Sequence, residues 1–289
     1  MASEKIKIRL QGHEKFVLRE GWLNKGIIQV EQNPTVFLGK EAPDAFGIGN
    51  NMVKSLRYWL KAFGLIVEKG TLGVHLSSCG KIISECDPYF EDIFTLWVLH
   101  SNIVHNAEDA TAWHLFFNNC DVEDIEKEQI MQMMIRELNK YTNNMAYSER
   151  SLRNDVDVIL SMYGNVKEML DPEDKNISPL AQLDLLKSVD GVYSKIQPDR
   201  RKVSEWNVLC ELARHLSDKE FVSIDEISEG IGSIRAIYQM GSVAVNEYLD
   251  KLDTMGYIRV DRTAGLDMIY RIKNLSLESV MREYYKTHR

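Results

Sequence analysis

His13 and Glu14 place an imidazole and a carboxylate side by side, and Arg19 and Lys25 follow within the same stretch, GHEKFVLREGWLNKG, residues 12–26. Such a pair could supply a general base or a metal ligand, and the two cations could hold a phosphate or a developing negative charge. A capping and salt-bridge cluster that holds the first helix has the same composition, and composition alone favours that second reading. A different chemistry is written in residues 49–66, GNNMVKSLRYWLKAFGLI. At about 100° per residue, Val53, Leu56, Leu60 and Phe63 form an apolar stripe. Asn50, Lys54, Arg57 and Lys61 fall on a separate face roughly 110° away, with Tyr58 at its edge. Amide and cationic groups projecting from a helix anchored on its other side suit a nucleic-acid-reading helix. These cations lack the acidic partners at i+4 that a solvated salt-bridge face usually carries.

Other arrangements are missing or poorly placed. There is no Walker lysine loop, no dinucleotide fingerprint and no nucleophile elbow. The four cysteines, Cys79, Cys86, Cys120 and Cys210, form no C-x-x-C pair and have no histidine at zinc-finger spacing, which points to reduced thiols and no zinc site. Asp155 and Asp157 sit two apart on an expected helix and point roughly 160° away from each other, so they do not grip one ion jointly. The Glu-rich tract 123–128, His100, His105 and Asn106 also fall in helical patterns.

The elements that must position these residues follow from periodicity and punctuation. Lys5–Arg9 alternates charged and aliphatic residues and reads as a strand. Apolar spacing over Phe16–Val30 predicts a helix that Pro34 ends. Ala42–Phe46 opens a further helical turn, and Gly47 with Gly49 turns into the reading helix. Two short apolar runs then flank turns at Lys69–Gly70 and Gly73, so Lys69 joins the expected DNA-contacting set. Helix followed by hairpin is the winged-helix order.

Asp87-Pro88 predicts an N-cap before a long buried helix. Three more helices are expected at Glu108–Asn119, Val122–Tyr141 and Ser148–Tyr163, the last with Ser148 as cap. Residues 164–203 carry Gly164, Pro172, Pro179, Gly191 and Pro198 and read as irregular. Helices at Ser204–Leu216, Ser223–Ser228 (with Ser223 and Glu226 as a capping box) and Ser242–Met255 precede the strand pair GYIRV and MIYRI. That repeats winged-helix order, but the last of these helices exposes Asn246, Glu247, Asp250 and Asp253. Arg259, Arg262 and Arg271 on its wing are the phosphate contacts left to it. The expected fold is mainly α with small β wings: winged-helix modules at 1–86 and 204–289, a helical middle domain at 87–170 and an irregular linker at 171–203.

The whole chain bounds the function. It has 289 residues, 44% of them hydrophobic, which is enough for real cores. The formal net charge of −8 is uneven: residues 1–90 carry 12 Lys plus Arg against 9 Asp plus Glu, whereas residues 91–195 carry 9 against 19. The cationic excess therefore lies with the reading helix, and a phosphate surface needs only local cations. No apolar run reaches the roughly 18 residues that cross a bilayer, and the N-terminus lacks the apolar core of a signal peptide. The expectation is a cytoplasmic protein with no membrane partner.

The blocks GHEKFVLREGWLNKG, GIGNNMVKSLRYWLKAFGLI, DPYFEDIFTLWVLHSNIVHNAEDATAWHLFFNN, RNDVDVILSMY and ISPLAQLDLL carry a further signal. In this order they resemble a bacterial domain-of-unknown-function family, numbered four thousand and seven, of SspB-like components of DNA phosphorothioation defence systems. The resemblance spans nearly the whole chain and is weakest after about residue 205. It implies a subunit that binds double-stranded DNA and nicks one strand so that a partner can insert sulfur, with Mg2+ or another divalent metal as cofactor. ATPase and sulfur-transfer subunits are the implied partners, and a homodimer is a further expectation. His13, Glu14 and Arg19 lie in the leading block and are the catalytic candidates, with Asp155 of the RNDVD block competing. Two other classes stay open: a DNA-binding regulator without catalysis, and an assembly adaptor that uses the acidic middle segment.

Overall fold

The computed structural model describes residues 6–164, 178–265 and 267–288. It is mainly helical, with three small antiparallel sheets. The chain begins with α1 (Trp22–Gln32), α2 (Ala42–Phe46) and α3 (Asn50–Ala62), then the hairpin β1 (Ile66–Glu68) and β2 (Val74–Leu76), then α4 (Ser78–Cys86). The expected apolar stripe of α3 is buried: Val53 is 7% exposed, and Leu56, Leu60 and Phe63 are 0%. Each such side chain contributes about 1.5–3 kcal/mol. Burial extends further, to Tyr58, Trp59 and Ala62, so only a narrow polar face of α3 reaches the surface.

The hairpin is pinned to the loop between α1 and α2. Val74 N–H donates to Pro34 O at 2.8 Å. Gly73, at φ +85°, lies so close that a Cβ there would sit 2.2 Å from the same oxygen. Only glycine meets both conditions. Ser77 then closes the module: its Oγ donates to Gly64 O at 2.6 Å and accepts from Gly80 N at 2.9 Å, capping α4.

The central helix is α5 (Ile93–His105), apolar on most sides as its sequence required. Its N-cap is Asp92, whose Oδ1 accepts from Phe94 N at 2.9 Å. The expected cap, Asp87, instead organises the preceding turn by accepting from Glu91 N, Asp92 N and Thr95 Oγ1. Pro88 therefore lies in that turn and not at the first helical position. Inside the core His100 donates through Nε2 to Ile237 O and accepts at Nδ1 from Tyr163 Oη, both at 2.9 Å. Burial drives its pKa down to about 3, so the ring is neutral.

After α5 come α6 (Thr111–Asn119), β3 (Ile125–Glu126), α7 (Lys127–Thr142) and α8 (Glu149–Tyr163). Ser148 caps α8 by accepting from Ser151 N. The expected irregular region lies partly outside the described residues, at 165–177. Its described part is ordered structure: a 3-10 turn at Pro179–Leu183, then the hairpin β4 (Leu186–Val189) and β5 (Val192–Lys195), which joins β3 in the order β3-β5-β4. Lys195 anchors it, with Nζ donating to Phe116 O and Cys120 O at 2.6 Å. Burial lowers that ammonium to about 8. A lysine that ends a strand by plugging a helix terminus has no pattern in sequence that would reveal it.

The remainder comprises α9 (Glu205–His215), β6 (Phe221–Ser223), α10 (Ile224–Ser228), α11 (Ile234–Tyr238), α12 (Ser242–Thr254), β7 (Ile258–Asp261), β8 (Met268–Arg271) and α13 (Leu277–Thr287). Ser223 caps α10, but Glu226 pairs with Lys219 and is not the reciprocal arm of a capping box. The strand order is β6-β8-β7. Glu211 of α9 is fully buried, accepting from Ser101 Oγ at 2.5 Å and His105 Nε2 at 2.8 Å.

One continuous apolar cluster runs from Leu18 to Tyr285. Helix α13 packs on α9 and on α4, and Arg282 bridges to Glu85 at 3.0 Å. The first 86 residues therefore touch the C-terminal helix directly, in addition to the helical middle. The strand expected at Lys5–Arg9 begins outside the described residues, and positions 6–10 belong to no sheet. Arg9 N–H is taken by Thr111 Oγ1 at 3.0 Å.

Candidate nucleic-acid interface

The segment before α1 makes a tight turn in which Gln11, Glu14 and Lys15 all take positive φ, at 55°, 50° and 68°. Each such residue costs on the order of 1 kcal/mol, so the turn needs an anchor. His13 provides it. Its Nδ1 accepts from Lys15 N at 3.0 Å, which assigns the proton to Nε2, and Nε2 donates to Asp155 Oδ1 at 2.7 Å. The imidazole stacks on Trp59 at 5.8 Å and meets Tyr58 and Trp113 edge-on. Asp155 also accepts from Gln11 N at 2.9 Å. Burial raises the Asp155 pKa, and the His13 and Gln11 hydrogen bonds oppose that rise.

The turn presents Glu14 to a cleft of about 520 Å³ lined by Arg9, Gly12, Lys54, Arg57, Lys61 and Glu68, with Tyr58 beneath. Three of the expected DNA-contacting cations thus converge with Glu14, which sequence reading had assigned to catalysis. Lys54 is exposed and has no ion pair among the described residues. Asn50, at the start of α3, and Lys69, on the hairpin, are exposed but do not line the cleft. Tyr58 differs from its expected place: it is 2% exposed, burial raises its pKa well above 10, and it forms the cleft floor. Gly12 makes room for it, since a Cβ there would lie 2.3 Å from the Tyr58 ring.

The acidic partners absent at i+4 arrive from elsewhere in the fold. Glu68 on β1 meets Arg57 at 2.8 Å and Lys61 at 3.7 Å, and Asp109 meets Lys61 at 2.9 Å and Arg9 at 3.5 Å. Arg9 also lies over the Tyr58 ring at 5.2 Å. Arg9, Glu68 and Asp109 were missed by sequence reading, because partners 11 and 48 positions from their cations leave no local pattern.

The remaining candidates lie apart. Arg19 stacks over Trp22 at 5.5 Å, and Lys25 Nζ donates to Phe46 O at 3.0 Å, fixing the end of α2. His13 and Asp155 meet in the core at 0% and 1% exposure, with both imidazole nitrogens engaged. Among the described residues no group of three or more His, Cys, Asp and Glu side chains converges as a metal site. Glu14 is the one carboxylate lining the cleft without an ion pair among the described residues. Magnesium commonly takes one or two carboxylates plus substrate phosphates, so a single unpaired carboxylate beside Arg9, Lys54, Arg57 and Lys61 makes no all-protein cage and would hold the ion only together with a bound phosphate.

A family model described as "Protein of unknown function (DUF4007)" matches residues 10–285. No curated protein matches the chain. Among solved structures, "SspB crystal structure" superposes with a TM-score of 0.85 at 23% identity, covering 96% of this chain and 88% of that one. "Magnesium ion-bound SspB crystal structure" gives 0.84 at 21% identity with the same coverage. The chain therefore shares the fold of these proteins.

Proposed function

Because the chain belongs to the DUF4007 family of proteins of unknown function, and shares the fold of SspB, we propose that it is the DNA-binding subunit of a DNA phosphorothioate modification and defence system. The observation that carries this reading is the cleft in which Arg9, Lys54, Arg57 and Lys61 gather on one side of a rigid aromatic floor. The arrangement of α1 to α3 and the hairpin is read as a winged helix, with α3 as the recognition helix and Asn50, Lys54, Arg57, Lys61 and Lys69 facing the duplex. No side chain caps the N-terminus of α3, so its first amides can also meet a phosphate. The family resemblance supports ATPase and sulfur-transfer subunits as partners, and a cytoplasmic setting and a homodimer complete the proposal.

Nicking of one strand belongs to the same reading. Glu14 is the side chain that would hold Mg2+ together with DNA phosphates, where the ion would polarise a phosphoryl oxygen. Glu14 itself supplies a carboxylate at the cleft, and Arg9, Lys54, Arg57 and Lys61 orient the backbone beside it. The His13–Asp155 pair acts as the positioning element beneath Glu14, since neither imidazole nitrogen is free to take a proton. Supercoiled plasmid incubated with the protein and Mg2+ should become open-circular, and Glu14→Gln should stop this while the melting temperature stays within a few degrees. Undiminished nicking by the variant would remove Glu14 from the chemistry.

A second reading, duplex binding without cleavage, is favoured by the complete burial of His13 and Asp155. An intact plasmid under every divalent metal, from protein that binds duplex DNA, would select it.

A further inference from the structure

The sheet β6-β8-β7 has two unlike faces. Val222, Ile269 and Val260 form one cross-strand row, of which Val222 and Ile269 are buried against α-helices. Phe221, Tyr270 and Arg259 form the adjacent row, and directly opposed residues share a face, so this row points away from the core. Phe221 is 53% exposed, an unusual position for a phenylalanine in a sheet. Its ring lies 5.9 Å from that of Tyr270, and the Arg259 guanidinium covers Tyr270 at 4.7 Å.

The row continues into a groove of about 680 Å³ lined by Arg259, Tyr270, Arg271, Ile272, Lys273 and Glu220. The three arginines singled out on this wing have different fates. Arg262 is held by Asp250 at 2.7 Å, and Arg271 donates to Leu216 O at 3.2 Å. Arg259 makes no salt bridge among the described residues, although Asp261 two positions along the same face of β7 feels its charge, and Lys273, whose ammonium sits over Tyr257 at 4.1 Å, makes none either. Glu220 is the single carboxylate lining the groove.

An exposed phenylalanine beside a half-buried tyrosine, with Arg259 lying over the tyrosine and Lys273 close by, supplies the components of a small base-stacking platform, where a ring and the guanidinium plane take bases and the cations take phosphates. We propose that this face binds a short run of single-stranded DNA. Stacking on these groups needs unpaired bases, which a single strand offers and a duplex does not. A flexible single strand can follow the sheet alone. The platform stands on its own observations; the choice of DNA over RNA rests on the duplex reading above.

The test uses the full chain, with labelled dT15, rU15 and a 15-base-pair duplex followed by fluorescence anisotropy. The background variant is K54E/R57E/K61E, which removes the duplex face. In that background dT15 should still bind, with a log–log salt slope of about −1.4 for two phosphates. Adding Phe221→Ala with Tyr270→Ala should weaken dT15 binding about tenfold or more, and Tyr270→Phe alone should leave it intact. Adding Arg259→Glu with Lys273→Glu should remove most of the salt dependence. Circular dichroism melts show whether each variant is folded. No dT15 binding in the background, binding indifferent to loss of both rings, or tighter binding of rU15 would overturn the proposal. A duplex affinity unaltered by K54E/R57E/K61E would overturn the duplex reading instead.

Discussion

His13 Nε2 donates to Asp155 Oδ1 across 2.7 Å in the core, joining a strained turn to a helix 142 positions away. Removing one member leaves the other buried without its partner. His13→Ala should cost about 3 kcal/mol, because a buried carboxylate would keep only the Gln11 amide. Urea unfolding measures this, and a loss below about 1 kcal/mol would show that the pair is not the anchor of the turn.

Glu68 sets how strongly the reading face attracts phosphate. It occupies Arg57 and Lys61 and is itself exposed enough to exchange partners. Glu68→Gln should therefore tighten duplex binding several-fold, with the largest gain at low salt. Unchanged or weaker binding would mean that Glu68 orients these cations and does not merely neutralise them.

Two buried carboxylates should impose opposite pH dependences. Burial disfavours ionised Glu211, but hydrogen bonds from His105 and Ser101 and the nearby Arg214 outweigh it and hold the pKa at about 2, below the ordinary 4.5. Its contribution is thus complete above about pH 4.5 and is lost as pH falls toward about 2. Asp155 is shifted upward from 3.8, so its contribution is complete below about that pH and declines as pH rises through the raised folded value. In denaturant titrations between pH 2 and 7, Glu211→Gln should lose less stability on acidification than the parent protein, and Asp155→Asn should lose less on the alkaline side. Parallel curves would contradict both assignments.

Gly73→Ala meets two obstacles at once, a positive φ and the Pro34 carbonyl. It should cost more than about 2 kcal/mol, against less for Gly70→Ala, whose position is open. Thermal melts of the two variants make the comparison. Equal costs would show that the hairpin is not fastened at Pro34.

What sequence reveals here follows the range of the interaction. The α3 stripe and hairpin were legible because Val53, Leu56, Leu60 and Phe63 encode their face locally, and Ser148 and Ser223 mark helix starts in the same way. Helix α1 begins at Trp22 and not near Phe16, because the residues before it are held by His13 and Asp155, a pairing that periodicity does not encode. The hairpin at 186–195 was hidden by Gly191 and flanking prolines, and Lys195 supplies its anchor from an unremarked position. Helix α13 left a readable signal in Leu277, Val280, Met281, Tyr284 and Tyr285, which recur at helical spacing. Within the candidate site, Lys54, Arg57 and Lys61 were readable from one helix, whereas Arg9, Glu68 and Asp109 needed the fold to bring them near.

The most direct test of duplex binding is a salt titration of a labelled duplex with the parent chain and with K54E/R57E/K61E. Three lost phosphate contacts should reduce the magnitude of the log–log slope by about 2.7 and weaken binding strongly at low salt. An unchanged slope and affinity in a folded variant would contradict the assignment of this face to DNA.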